Sequence, residues 1–235
     1  MRRIVFPLVF VVVFSASLHA QVPSIPGTVT RDQNALSTLQ AAITALGGAT
    51  AIGQAQSWQA QGQVQGTAPQ GKAVTAITGT ITWEMAGSEM RIASATNAGP
   101  TAFLTGHGNP AVVSNANSLK LPPHVVAAMF VPAFVGPILL KDFQNSDCEL
   151  RSGGPKNLGT ESVQVVHVLT TGIPYFQQTA QTWYFDSITK LPVRVEFRIP
   201  SMRYPQVSIR GALNFSNYSP VASVLYPFQI VTFRE

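Results

Sequence analysis

Apolar and polar residues alternate with a period of two through most of the chain from residue 57 onward. In the stretch KAVTAITGTITWEM, one parity holds Ile77, Ile81, Trp83 and Met85, and the other holds three threonines and a glutamate. Such alternation predicts a strand that is buried on one face and exposed to solvent on the other. The stretches SWQAQGQVQGT, SEMRIAS and TAFLTG have the same texture, and short turn signals of Gly, Ser, Asn and Pro separate them. The pattern therefore predicts an antiparallel meander.

The C-terminal third repeats this alternation in five predicted strands. They cover residues 161–170, 179–185, 193–199, 206–215 and 224–234. With the turn after the third of them centred on Arg203, Phe197 lies opposite Ile209. The same register places Glu196 opposite Arg210. It puts apolar pairs on the inner face and an opposite-charge pair on the outer face, whereas a slip of one residue would spoil both.

The hairpin WYFDSITKLPVRVEF, residues 183–197, precedes that turn. Counting across its loop places Trp183 beside Val195 and Phe185 beside Val193. We therefore expect the inner wall to consist of Trp183, Phe185, Val193, Val195 and Phe197. On the outer face, Arg194, Arg198 and Arg210 form a basic stretch that could meet anionic head groups or an acidic partner. Alternation alone also explains this spacing as a solvated face.

Two segments depart from the strand pattern and are helical candidates. In NALSTLQAAITALGG, apolar residues recur at helical spacing, namely Leu36, Leu39, Ile43 and Leu46. Asp32 or Asn34 can cap this helix, and the two glycines end it. Residues 121–140, LPPHVVAAMFVPAFVGPILL, are apolar nearly throughout and interrupted by prolines, which predicts a short helix over about 123–130. This apolar segment is either a lid over a lipid cavity or an ordinary core helix.

The first twenty residues have the layout of a secretory signal. Arg2 and Arg3 precede an apolar run that Pro7 interrupts, and small residues lead up to Ala20. The run is shorter than the ~18 residues of a membrane span, and no lipid-acceptor cysteine follows the expected cleavage after Ala20. We expect a periplasmic or secreted protein without a transmembrane anchor, divided into a signal peptide at 1–20, a flexible lead at 21–33 and one domain at 34–235.

Composition narrows the function further. The net charge of +5 falls to +3 when the signal is removed, and charged residues make up 11% of the chain against ~25% in typical domains. Such a mild excess spread along the chain is not the basic stripe that nucleic-acid binding requires. The single cysteine, Cys148, excludes an internal disulfide, and with no basic neighbour in sequence it is expected to be buried and inert.

No motif in the sequence indicates catalysis or a metal. His107, His124 and His167 lack the short spacing of a zinc site, and no G-x-S-x-G elbow or nucleotide-binding glycine loop is present. The sequence also gives no indication of a catalytic triad or a carboxylate pair assembled from distant positions. We expect no cofactor, no metal and no enzymatic activity.

Two stretches resemble the outer-membrane lipoprotein carrier family, the LolA-like proteins. WYFDSITKLPVRVEF resembles that family's hairpin, with an acidic turn and a Leu-Pro before a strand of alternating charge, and NYSPVASVLYPFQIVTF resembles the strand pair that follows it. The opening helix and the SWQAQGQV strand occupy the matching places at the front. The family pattern implies further strands beyond PFQIVTFRE, so the chain either is truncated or forms a more open barrel.

The resemblance implies a mainly β fold with helices, an antiparallel half-open β-barrel covered by the N-terminal helix and a central helical plug. It also implies that the barrel receives lipid or lipoprotein acyl chains and hands them to a periplasmic or membrane-bound partner. The expected cavity lining is Trp83, Met85, Phe103, Val125, Met129, Phe130, Phe134, Trp183, Phe185, Val193, Val195, Phe197 and Ile209. Two other functions stay open: a periplasmic sensor or interaction module with a filled barrel, and a hydrolase without a recognised motif.

Overall fold

The structure is a computed structural model. It describes residues 30–55, 57–70, 73–86, 89–105, 111–114, 117–120, 140–141, 143–144, 148–170, 179–200 and 208–234. The predicted signal peptide, most of the lead and the helix expected at 123–130 lie outside the described residues.

Two helices and twelve strands have described bounds, and residues 140–141 and 143–144 are also helical. The helices are α1 (Gln33–Ala45) and α2 (Ala49–Gln54). The first six strands are β1 (Ser57–Gln70), β2 (Ala73–Ala86), β3 (Glu89–Thr96), β4 (Gly99–Thr105), β5 (Ala111–Ser114) and β6 (Asn117–Lys120). The other six are β7 (Glu149–Leu158), β8 (Glu161–Thr170), β9 (Thr179–Asp186), β10 (Pro192–Pro200), β11 (Ser208–Val221) and β12 (Val224–Arg234).

The strands form two antiparallel meanders. The first sheet has the order β1-β2-β3-β4-β5-β6, and the second has the order β12-β11-β10-β9-β8-β7. The expected mainly β, antiparallel class is confirmed, and so are the five strands predicted in the C-terminal third. Among the described residues, the ladders form two separate six-stranded sheets and not one continuous sheet.

The predicted N-terminal helix is confirmed, and its start is set by an N-cap. Asp32 Oδ1 accepts hydrogen bonds from the backbone nitrogens of Asn34 at 2.7 Å and Ala35 at 3.2 Å. Such a cap satisfies backbone donors that have no partner within the helix. Gly47, with a φ of 120°, follows the last turn, where the left-handed region favours glycine. The apolar face of α1 packs on β7 and β8 and is fully buried at Leu39 and Ile43.

Arg31, at the end of the predicted lead, joins α1 to the second sheet. Its backbone forms a parallel bridge with Leu150, the first buried residue of β7. Its guanidinium donates to the carbonyl oxygens of Phe143 and Gln144, each at 2.8 Å. The ordered domain therefore includes residues before position 34.

The predicted register between β10 and β11 is wrong by two residues. Phe197 pairs with Gly211 rather than with Ile209, and Glu196 pairs with Ala212 rather than with Arg210. A shift of two keeps every side chain on its predicted face, since the side-chain period of a strand is two. The physical reason is steric. The Phe197 ring lies over Gly211, where a Cβ would approach its Cε2 atom to 2.6 Å, so only glycine fits opposite this ring.

The hairpin between β9 and β10 has one confirmed pair and one correction. Trp183 pairs with Val195, as predicted, but Phe185 pairs with Pro192 because a bulge lies between Pro192 and Arg194. The extra residue of the bulge leaves Val193 half-buried, and Pro192 takes the buried position.

Trp183 lies at the centre of the core. Its ring stacks on Phe185 and on Phe215, with centroids 6.3 and 6.2 Å away, and meets the edge of Phe143 at 6.1 Å. Its Nε1 donates to Oε1 of the buried Gln181 at 2.8 Å, so the indole hydrogen bond is satisfied inside the core. Met85 and Ile92 bring the first sheet into the same core.

Candidate functional site

A cavity of about 300 Å³ lies between the two sheets. We call it the inter-sheet cavity. The first sheet contributes Trp58, Gln59, Ala60, Gln61, Gly62, Gln63, Ile81 and Trp83 to its lining. Leu46, the residue after α1, also lines it, and the second sheet contributes Trp183, Pro192, Phe215, Tyr218, Val221, Tyr226, Pro227, Phe228, Gln229 and Ile230. All three tryptophans of the protein are in this set.

Aromatic rings form the walls of the inter-sheet cavity. Trp58 of β1 approaches Tyr226 of β12 across the gap, with ring centroids 6.1 Å apart and planes tilted by 47°. On the inner side, the stacked pair of Trp183 and Phe215 separates the cavity from the core. The side chain of Phe228 is 67% exposed and marks where the cavity opens to solvent.

The cavity runs along the edges of two strands and not only along their inner faces. Six consecutive residues of β1 line it, and five consecutive residues of β12 do so. Because neighbouring residues of a strand point to opposite faces, a lining that includes both parities must wrap around the strand edge. The inward set on β1 is apolar, and the alternate set is the glutamine row at positions 59, 61 and 63. The opening is therefore polar and uncharged, whereas the interior is apolar.

None of the described lining residues is Asp, Glu, His, Lys, Arg, Cys, Ser or Thr. The two ionisable groups are the phenols of Tyr218 and Tyr226, and burial raises the pKa of both. Both phenols therefore stay neutral, and Tyr218 donates its proton to the carbonyl oxygen of Pro192 at 2.7 Å. Trp58 Nε1 is buried without a hydrogen-bond partner among the described residues. The site offers burial and aromatic contact, and it lacks a positioned acid, base or nucleophile.

The structure places the predicted lining residues in three environments. Trp83 and Trp183 line the inter-sheet cavity. Met85, Phe185, Val195 and Phe197 are buried in the core next to it, and Val193 lies at the bulge. Phe103 and Ile209 have described backbones in β4 and β11, but their side chains lie outside the described set. Outside the described residues altogether are Val125, Met129, Phe130 and Phe134.

Five of the seven aromatic residues in the described lining were not predicted from the sequence. They are Trp58, Phe215, Tyr218, Tyr226 and Phe228. In the sequence, Tyr218, Tyr226 and Phe228 belong to the strand pair NYSPVASVLYPFQIVTF, Phe215 belongs to the strand before it, and Trp58 begins a stretch of regular alternation. That alternation shows which residues share a face. It does not show that β1 and β12 lie across a gap from each other.

The three arginines predicted to share a face do lie together, on the outer surface of the second sheet. Arg194 and Arg198 project from β10, and Arg210 projects from β11. All three line a surface groove of about 540 Å³. Its lining includes outward-facing residues of the sheet and also Phe197 and Gly211, whose parity is that of the core face.

The described part of the chain has neither a membrane-spanning helix nor a cluster of metal ligands. Its helices are too short or too polar to cross a membrane. Its His, Cys, Asp and Glu side chains form no group of three that could hold a metal ion.

Solved structures with the same fold were found by structural comparison. A DUF1329 family protein from Desulfovibrio piger has a TM-score of 0.52 and 12% identity, over 85% of this chain and 86% of that one. A LolA superfamily protein from Nitrosomonas europaea has a TM-score of 0.51 and 14% identity, over 84% of each chain. A domain described as an outer membrane lipoprotein-sorting protein, from Vibrio parahaemolyticus, has a TM-score of 0.53 and 9% identity, over 86% and 85%.

No protein-family model matches the sequence, and no curated protein matches it. The structural matches extend over most of both chains at low identity, which is evidence about fold. The chain has a LolA-like fold, as the sequence resemblance implied.

Proposed function

We propose that the protein is an exported carrier that holds an acyl chain of a lipid or lipoprotein in the inter-sheet cavity, without chemistry. The observation that carries the proposal is the cavity itself, about 300 Å³ of space with aromatic walls and no charged lining residue among those described. The LolA-like fold supports it, because one solved structure with this fold is described as a lipoprotein-sorting protein. In this proposal the two sheets form the half-open barrel, and the predicted signal peptide directs the chain to the periplasm.

The size of the cavity matches part of one acyl chain. Ligand pockets span roughly 300 to 1,000 Å³, so this cavity lies at the lower end of that range. Each buried methylene contributes about 0.8 kcal/mol, so a segment of eight methylenes would contribute roughly 6 kcal/mol. The remaining length of the chain would leave along the edges of β1 and β12, where the lining becomes polar.

Binding without catalysis is supported by the chemistry of the lining. A hydrolase would need a nucleophile with a base, a metal or a carboxylate pair in its cleft. The described lining offers only two neutral phenols, and one of them is held by the Pro192 carbonyl. A filled interaction module would have no space between the sheets, whereas this protein has a cavity there.

Native mass spectrometry of the exported protein tests the proposal. Ala60 lines the cavity on the same strand face as Trp58, and Ala60→Trp would fill part of the space. Losing about three buried methylenes, near 2.4 kcal/mol, should weaken acyl-chain binding roughly 50-fold. The matched control is Gln65→Trp, an exposed position of β1 that does not line the cavity.

The wild-type protein and the Gln65→Trp variant should carry an adduct with the mass of a lipid, and Ala60→Trp should carry much less. Wild-type protein without any adduct, which also fails to take up added phospholipid or fatty acid, would favour the interaction module.

A further inference from the structure

The register between β10 and β11 places two arginines directly opposite each other. Arg198 pairs with Arg210, and both side chains are exposed on the outer face of the second sheet. Like charges at directly opposed positions of an antiparallel pair destabilise it. The register predicted from sequence would have given Arg210 a glutamate partner. The observed register needs a different explanation for this charge pair.

The nearest acidic side chain on this face is already engaged elsewhere. Glu196 accepts a hydrogen bond from Arg194 Nε at 2.8 Å through one carboxylate oxygen. Its other oxygen accepts from the Tyr184 hydroxyl at 3.0 Å. Arg194 also donates to Asn214 Oδ1 at 2.9 Å, which extends this local network. The charge of Glu196 is therefore matched by Arg194 and is not available to Arg198 or Arg210.

Arg198 and Arg210 consequently carry two positive charges without a counter-ion among the described residues. Both arginines line a groove of about 540 Å³, together with the ion-paired Arg194 and Glu196, with Phe197, and with the small residues Ala180, Thr182, Gly211 and Ala212. Short residues between long arginines leave a depression that both guanidinium groups can reach. The groove shares none of its described lining residues with the inter-sheet cavity.

We propose that Arg198 and Arg210 form a binding site for a phosphate group on the outer face of the second sheet. Each guanidinium presents a planar fork of donors, and a fork pairs with two acceptor oxygens. One carboxylate satisfies one fork, whereas a phosphate has enough oxygens to accept from two forks at once. A phosphate also supplies the negative charge that the pair lacks.

Two sources carry this chemistry: the head group of an anionic phospholipid and a soluble phosphate compound. The site does not depend on the acyl-chain proposal, because it uses residues that do not line the inter-sheet cavity. Loss of one activity with retention of the other would show that the two sites are separate.

The test compares Arg198→Gln, Arg210→Gln and the double variant with wild type. Arg151→Gln is the matched control, because it removes the same charge from an exposed position of β7 in the same sheet. The probes are inorganic phosphate, followed by calorimetry, and vesicles of phosphatidylcholine with or without phosphatidylglycerol, followed by co-sedimentation. Polyglutamate serves as a carboxylate probe, and ionic strength is held constant throughout.

The double variant should bind phosphate roughly 10-fold to 100-fold more weakly than wild type, since charge-assisted hydrogen bonds are lost. The Arg151→Gln control should bind as wild type does. Binding to inorganic phosphate and to phosphatidylglycerol alike supports a site for the phosphate group itself. Binding to the vesicles alone, with the same dependence on the two arginines, assigns the site to a lipid head group.

Thermal unfolding supplies a second measurement that does not depend on affinity. Without phosphate, each single variant should be at least as stable as wild type, because the opposed charges are relieved. Added phosphate should stabilise wild type and not the double variant. Three results would overturn the proposal. The Arg151→Gln control could lose as much phosphate affinity as the double variant, the double variant could bind phosphate as wild type does, or wild type could bind polyglutamate as tightly as phosphate.

Discussion

Gly211 lies directly opposite Phe197 in the ladder between β10 and β11, and replacing it with alanine should destabilise the protein. A Cβ at this position would lie 2.6 Å from Cε2 of the Phe197 ring and 2.8 Å from its Cζ. Both are shorter than any normal contact between carbon atoms. Phe197 is only 4% exposed, so its ring cannot move away without disturbing the core.

The expected cost follows from two opposing effects. Forcing an extra methyl group into a packed core costs about 1 to 3 kcal/mol. Replacing glycine within a strand recovers roughly 0.5 to 1 kcal/mol of backbone entropy. The difference between the midpoints of these two ranges predicts that Gly211→Ala lowers the free energy of unfolding by roughly 1 kcal/mol. Urea denaturation would show this as a lower midpoint at an unchanged m-value.

Two controls separate the clash from a general effect of losing glycine. Gly66 of β1 has no atom within 4 Å of an added Cβ, so Gly66→Ala should leave the stability unchanged or slightly raised. Phe197→Leu removes the ring atoms that clash, and in that background Gly211→Ala should cost less than about 0.5 kcal/mol. If Gly211→Ala is as harmless as Gly66→Ala, or if its cost is the same with Leu at 197, the register is wrong.

Four further predictions concern the helix cap, two titrating groups and the cysteine. Asp32→Ala should lower the free energy of unfolding by about 1 kcal/mol in urea denaturation. Asp32→Asn should lower it much less, because asparagine also caps helices. Equal losses in the two variants would contradict the cap. Hydrogen bonds from Thr189 and Ile188 hold the pKa of Asp186 below its ordinary 3.8, so wild type should lose stability as the pH falls below 3.8. Asp186→Asn should lose less stability over the same pH range. Equal losses of stability in the two proteins would contradict this. Burial raises the pKa of Tyr218, so this residue contributes to stability below pH 10, and the contribution is lost above it. In urea denaturation, Tyr218→Phe should be less stable than wild type at pH 7 and should lose less stability than wild type above pH 10. The same pH dependence in both proteins would contradict this. Cys148 is 1% exposed, so a thiol reagent should modify it only as fast as the protein opens, and rapid modification of the folded protein would contradict its burial.

The parity of side chains could be predicted from the sequence because it is a local property. In β10, every second residue is apolar, and the structure places Val195 and Phe197 inside and Arg198 outside. The positions of the strands could also be predicted from the sequence wherever apolar and polar residues alternate regularly. The strand β7, ELRSGGPKNL, has no such alternation and was not predicted. It is held by its ladder with β8 rather than by its own pattern.

Register and cavity depend on contacts that alternation does not encode. The two-residue shift comes from the fit of the Phe197 ring over Gly211, a steric effect that charge pairing could not reveal. The cavity lies between β1 and β12, which are more than 150 residues apart in sequence. Trp83 and Trp183 were predicted to line it because they share the inner face of their strands. Trp58 and Tyr226 face each other across two sheets, and no local pattern relates them.

Quenching of tryptophan fluorescence by a brominated acyl chain tests the central claim most directly. All three tryptophans line the inter-sheet cavity, so a bromine atom on a bound chain would lie close to the only indoles in the protein. We expect saturable quenching by a brominated fatty acid, competition by its unbrominated form, and little quenching by a bromide of similar size without an acyl chain. Quenching that does not saturate, or that the unbrominated chain does not reverse, would contradict acyl-chain binding between the sheets.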